Sequence, residues 1–290
     1  MPQALMAGKI PARIIQTGKS RALPLIAQAA AANLKLLNPQ FEYLFFDDAD
    51  VTTFIQKEFP EHRALFDAFP FKIQRFDFFR YLAVYRLGGF YFDLDVFMAR
   101  GLDELLSHSC VFPFEEVSIN HCLRHDYGMD WEIGNYAFGA APGHPFLKAV
   151  IGNCVKAQQD PEWVKPMMQG IPGPFRADFQ VLNTTGPGLI SRTLAENPQI
   201  ASDVTVLFPP DVCDSRTWHQ FGDFGVHAQE GSWRTRGSYL RRRLGNLWEA
   251  RVLKKGMIES RKLGKTRSLP SASTEDALSA SIGDHGSRRD

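Results

Sequence analysis

The hydrophobic pattern changes period repeatedly along the first third of the chain. ARIIQT (12–17) is a short β-branched run after Pro11 and predicts a strand. Residues 21–37, RALPLIAQAAAANLKLL, are rich in Ala and Leu and predict a helix that Asn38-Pro39 stops. FEYLFFDD (41–48) predicts a second strand ending in acids, and VTTFIQKEF (51–59) a second helix with Asp50 as its N-cap. IQRFDFFRYLAVYRL (73–87) predicts a third helix closed by Gly88-Gly89, and FYFDLDV (90–96) follows as a strand. Strand–helix–strand alternation of this kind predicts an α/β class, a Rossmann-like, mainly parallel sheet flanked by helices.

The pattern is less regular further on. CVFPFEE (110–116) and NYAFGAA (135–141) predict strands, and HPFLKAVIGNCVKAQ (144–158) a helix with Pro145 in its first turn. Residues 159–176 are rich in Pro and Gly and predict a loop, and VTVLFPPDVC (204–213) a late strand and turn. No internal repeat is visible. From Arg234 to Arg267 there are twelve Lys/Arg against two Glu. Leu240, Leu244, Leu247, Trp248 and Val252 fall near helical spacing there, among Arg241, Arg242, Arg243, Arg251, Lys254 and Lys255. The expected organisation is one catalytic-sized domain over 1–236, a basic amphipathic helical extension over 237–267, and a disordered tail over 268–290. Such a helix either packs on the domain or touches an anionic membrane peripherally through 238–265.

Composition narrows the function classes. The chain has 290 residues, 44% hydrophobic, with 23 Phe, enough for a large core. A net charge of +1 gives no global pull toward nucleic acid, so no nucleic-acid partner is expected. The four cysteines, Cys110, Cys122, Cys154 and Cys213, form no CxxC pair and no disulfide framework, which suits a reducing compartment. No run approaches the roughly 20 apolar residues of a membrane span, and the N-terminal stretch lacks a signal-peptide core. The expected location is cytoplasmic; if the basic helix touches a membrane rather than packing on the domain, the contact is peripheral, at the inner membrane face.

The chemistry is concentrated in residues 77–95. Asp93 and Asp95 stand at the end of an aromatic strand, where open α/β sheets bind ligands. If the strand stays extended, their spacing puts both carboxylates on one face. Two like charges side by side resist ionisation, and a hard divalent cation, Mn²⁺ or Mg²⁺, relieves that repulsion. A diphosphate would supply the remaining oxygens. A solvated turn with two acids is the alternative. Asp77 and Arg80 lie three apart on a helix that is apolar nearly all round, so they either pair with each other or hold a ligand.

The block RFDFFRYLAVYRLGGFYFDLDV (75–96) resembles the signature of the Och1-like glycosyltransferases, family 32, in which S-D-x-x-R-Y-x-x-L-x-x-x-G-G-x-Y-x-D-x-D-V recurs. Asp77, Arg80, Tyr81, Gly88, Gly89, Tyr91, Asp93, Asp95 and Val96 match in register. IPARIIQT (10–17), NPQFEYLFFDD (38–48), AAPGHPF (140–146), TTGPGLI (184–190) and HAQEGSW (227–233) resemble further family segments in order. The resemblance implies a GT-A fold, a nucleotide-sugar donor (UDP- or GDP-sugar), a divalent metal, and transfer of a hexose to a glycan or lipid-linked acceptor with retention of configuration. It implies Asp93, Asp95 and His227 as metal ligands and Asp93, Asp95, Asp77 and Arg80 as catalytic. Gln16, Thr17, Tyr81, Gly89, Tyr91, Asn135, Gly186, Ser232 and Trp233 are the donor-binding candidates. For His227 and Trp233, ordinary packing is the alternative. Two other functions stay open: a sugar nucleotidyltransferase, for which QTGKS (16–20) is a feeble phosphate loop, and a non-catalytic carbohydrate- or partner-binding protein on the same fold.

Overall fold

A computed structural model describes residues 8–228. In chain order the elements are β1 (Arg13–Thr17), α1 (Leu25–Leu37), β2 (Glu42–Phe46), α2 (Asp48–Glu58), α3 (Arg63–Ala68), α4 (Lys72–Leu87), β3 (Gly89–Phe92), β4 (Val96–Met98), β5 (Cys110–Val117), β6 (Trp131–Ile133), β7 (Ala137–Ala140), α5 (Pro145–Gln159), α6 (Pro161–Val164), α7 (Arg176–Thr184), α8 (Pro187–Glu196), α9 (Pro198–Ala201), β8 (Thr205–Leu207), β9 (Gln220–Phe221) and β10 (Gly225–His227). Ser232, Trp233, the expected extension over 237–267 and the tail over 268–290 lie outside the described residues.

The main sheet has the order β2-β1-β3-β7-β5-β6, with β8 beside β5. Pairing is parallel across β2-β1-β3, where the sequence alternates strand and helix, and β8 also runs parallel to β5. β7 joins β3 and β5 antiparallel, and β6 joins β5 antiparallel. Helices cover both faces, as the α/β class requires. One face buries Ile15, Tyr91, Phe112 and Phe138 with Leu82 and Val84 of α4 and Phe146 and Val150 of α5. The other buries Ile14, Phe90, Phe92 and Val111 with Leu34 of α1. No helix among the described residues is long and apolar enough to cross a membrane.

Four local differences from the sequence expectation have identifiable causes. The first helix begins only at Leu25, because Pro24 takes the N-cap and residues 18–24 form a bend. The second helix is capped by Asp47, not Asp50: the Asp47 carboxylate accepts from the amides of Ala49 and Asp50, and the Asp50 carboxylate reaches back to the Asp47 amide. Residues 159–176 hold short helical turns rather than a continuous loop. The run FYFDLDV is not one extended strand. β3 stops at Phe92, residues 93–95 turn, and β4 then pairs with β10 in a separate three-stranded sheet. That break decides where the two acids point.

Gly89 opens β3 with φ +107°, and a Cβ there would lie 2.7 Å from the Arg13 carbonyl oxygen. Gly89→Ala is therefore expected to cost about 3 kcal/mol, from a disfavoured backbone region plus a backbone clash. Urea unfolding would measure this; an unchanged midpoint would show that the β1–β3 contact yields to a methyl group.

Candidate active site

The site is built at the carboxyl ends of the parallel strands. The turn after β3 carries Asp93 and Asp95, and β10 brings His227 alongside, its amide-bearing strand registered on Val96. One ligand atom from each of Asp93, Asp95 and His227 lies within 4.8 Å of the others. His227 Nε2 stands 3.2 Å from Asp95 Oδ1. The amide of Ala228 donates to the Asp95 carbonyl at 2.9 Å, which fastens the end of β10 to the turn. The Tyr136 ring stacks on the His227 ring, centroids 4.4 Å apart and planes 15° apart, and fixes the imidazole from the other side. The Tyr136 carbonyl also accepts from the Asp93 amide at 2.7 Å. Convergence of the acids thus comes from a turn held at three points rather than from strand alternation.

Behind Asp93 stands a buried polar network. Arg80 Nη1 is 3.2 Å from Asp93 Oδ1, and Arg80 Nη2 is 3.2 Å from Asp77 Oδ1. Arg80 Nη1 also donates to the Asn135 carbonyl at 2.7 Å. Asp77 accepts from Thr185 Oγ1 at 2.9 Å and from Asn135 Nδ2 at 3.1 Å. Asn135 Nδ2 reaches Tyr81 Oη at 2.9 Å, and Tyr81 Oη donates to the Thr185 carbonyl at 2.6 Å. Tyr91 Oη donates to Asp93 Oδ1 at 2.8 Å and lies 3.2 Å from Thr17 Oγ1. Gln16 is fully buried; it donates to the Asp93 carbonyl at 3.3 Å and accepts from Tyr43 Oη at 2.8 Å. Asp77 and Arg80 are 4% and 3% exposed, so Arg80 acts as a fixed cation bridging a buried acid to a half-buried one.

Electrostatics follow from that burial. Burial pushes the Asp77 carboxyl up to about 6, against the pull of Arg80 and the Thr185 hydroxyl. Burial also works against the Arg80 charge, but Asp93, Tyr91 and Asp77 outweigh it and hold the guanidinium above its ordinary value. For His227 burial again works downward, while the bond to Asp95 and the charges of Asp93, Asp95 and Glu115 leave it raised overall. The Tyr91 phenol is raised, first by burial.

The structure brings most of the sequence-derived residues together, in two layers. Asp93, Asp95 and His227 meet at the front. Gln16, Thr17, Tyr81, Tyr91, Asn135, Asp77 and Arg80 form the layer that orients Asp93. Gly186 caps the start of α8, one residue beyond Thr185. Gly89 stands apart, at the opposite end of β3, packed on Arg13. The sequence reading did not single out Thr185, Tyr136 or Tyr43. Thr185 lay inside the TTGPGLI segment and Tyr136 beside Asn135, so proximity to marked residues was the signal.

The donor set fits a divalent cation. Two carboxylate oxygens and an imidazole nitrogen are acceptable ligands to Mn²⁺ or Mg²⁺, and two facing acids favour such an ion. Asp93-Leu94-Asp95 is thus a D-x-D motif set, with His227, at the strand ends of an α/β sheet. Residues 27–112 match the family model described as glycosyltransferase sugar-binding region containing DXD motif. Over that segment the match bears out the resemblance of the chain to the Och1-like glycosyltransferases, family 32. Inositol phosphoceramide mannosyltransferase 3 of Schizosaccharomyces pombe is 33% identical over 144 residues, which cover 50% of this chain and 37% of that protein. Mannosyl phosphorylinositol ceramide synthase SUR1 of Saccharomyces cerevisiae is 29% identical over 182 residues, covering 63% of this chain and 41% of that protein. The chain therefore spans about two fifths of the length of these curated relatives. Among solved structures, PaToxG glycosyltransferase aligns with a TM-score of 0.44 at 12% identity, over 67% of this chain and 74% of that one.

Proposed function

We propose that this protein transfers a hexose from a nucleoside-diphosphate sugar to a hydroxyl of a glycan or glycolipid acceptor, with retention of configuration and a divalent cation as cofactor. The observation that carries this reading is the convergence of Asp93, Asp95 and His227 at the strand ends, backed by the buried Arg80. The names of the relatives favour mannose as the sugar and an inositol-phosphate-containing lipid as the acceptor.

Asp93, Asp95 and His227 would hold the cation, which would supply positive charge to the departing diphosphate. The chain's own part is positional. Arg80 holds Asp93 in place, and Tyr91 and Gln16 fix the turn that carries it. Asp77 is 4% exposed and engaged by Arg80, Asn135 and Thr185, so it is not presented as a covalent nucleophile. That favours a front-side transfer, with the acceptor hydroxyl attacking the face the diphosphate leaves.

The nucleotidyltransferase alternative has little support. Gly18 of QTGKS is crowded by Phe45, Leu23 and Leu94, and α1 starts well beyond it, so no helix N-terminus faces a phosphate there. The test is a screen of the purified full chain over UDP- and GDP-sugars, GDP-mannose included, with Mn²⁺. Release of a nucleoside diphosphate that stops in excess EDTA is expected. Pyrophosphate release, or turnover of no donor at all, overturns the proposal.

A further inference from the structure

The hairpin that carries His227 is anchored by a contact outside the trio. His219 has φ +58°, the one non-glycine residue in the left-handed region among those described. L-residues adopt that conformation at an energetic cost and mostly where surrounding contacts enforce it. The His219 carbonyl accepts from the His227 amide at 3.0 Å, extending the β9–β10 ladder by one rung to the histidine itself. The His219 ring faces a carboxylate in turn: Nδ1 stands 3.2 Å from Glu115 Oε1, with both side chains largely buried, 20% and 15% exposed.

Glu115 is displaced toward this contact by its strand. The β5–β6 register runs Phe114↔Ile133 and then Glu116↔Glu132, so Glu115 is an extra residue at a bulge. Bulges re-aim a side chain and recur beside functional sites. Room for the carboxylate comes from Gly134, where a Cβ would lie 2.3 Å from Glu115 Oε2 and 2.6 Å from the Tyr136 ring. Tyr136 is the ring stacked on His227. A bulge, a left-handed residue and a glycine gap thus converge on one imidazole.

We propose that Glu115 and His219 are positioning residues for His227: Glu115 fixes the His219 ring, and the left-handed His219 backbone aims the carbonyl that holds the His227 amide in register with Asp95. The inference rests on the reading of Asp93, Asp95 and His227 as a cation site. Partners that orient metal-binding histidines typically govern metal affinity by 10–100-fold. The experiment is a Mn²⁺ titration of the full chain followed by electron paramagnetic resonance, with thermal unfolding of each variant alongside. His227→Ala is expected to abolish specific binding. Glu115→Ala and His219→Val should each weaken it by about 10-fold or more, with Glu115→Ala still folded at assay temperature. Glu115→Gln, which keeps an oxygen facing the ring, should stay within about 3-fold of wild type, and His219→Gly, which keeps the backbone conformation, should bind more tightly than His219→Val. Loss of affinity in His227→Ala with wild-type affinity in Glu115→Ala and His219→Val overturns the positioning role alone. Wild-type affinity in His227→Ala, or no binding by the wild type, overturns the cation site and the inference with it.

Discussion

Asp95→Asn is expected to remove transferase activity while leaving the fold standing. The substitution keeps the size of the side chain and removes one of the two charges that face each other at the end of β3. Charge stabilisation of a departing diphosphate by a bound cation is worth several kcal/mol, so loss of a ligand should cost on the order of 10³-fold in kcat/KM. Stability should change little, because Asp95 is not a core residue: its side chain is 18% exposed, and its neighbour His227, 3.2 Å away, is 16% exposed. Its carbonyl, which holds the Ala228 amide, is untouched by the substitution. Nucleoside-diphosphate release and an unfolding curve, run on the same preparation, separate the two effects. Wild-type turnover by Asp95→Asn, or full wild-type activity in excess EDTA, would sink the metal assignment.

The fold was legible where local pattern and tertiary environment agree. The β1-α1-β2 and α4-β3 units follow from hydrophobic period and from Gly88-Gly89, because each element is built mostly from residues close in sequence. The acids at the strand end were legible for the same reason. Their geometry was not. Alternation along FYFDLDV predicts one strand, but β4 leaves the main sheet to pair with β10, a partner from about 130 residues later. No local pattern encodes a pairing of that range. The same limit hid Thr185, which reaches Asp77 across 108 positions. Asp50 as N-cap failed on a finer point. Asp47 and Asp50 both suit a cap, and only the reciprocal bonds show which one caps and which one reaches back. The short strands β6, β9 and β10 carry too few residues to show a period at all.

The second large effect is expected at Arg80, where two variants decide between structure and chemistry. Arg80→Met alone leaves Asp77 buried without its cation. Breaking a buried pair from one side typically costs about 3–5 kcal/mol, because the remaining charge has no compensation. At roughly 2–4 °C per kcal/mol for a domain of this size, the unfolding midpoint should fall by on the order of 10 °C. Asp77→Leu/Arg80→Met removes both charges. Thr185 Oγ1 then keeps its bond to the Val181 carbonyl, and Asn135 Nδ2 keeps Tyr81, so few buried polar atoms are stranded. Replacing a buried pair by apolar residues of similar volume is often neutral, so the double variant should recover most of the lost stability. Activity should not recover. Arg80 is also the cation 3.2 Å from Asp93, and without it the two acids of the turn face each other with less positive charge behind them. Asp93 would hold its orientation less well, which is the loss that apolar packing cannot replace. A double variant with both stability and turnover restored would show that Asp77 and Arg80 are only a structural pair. Restored stability with turnover still absent places Arg80 in the machinery that prepares Asp93.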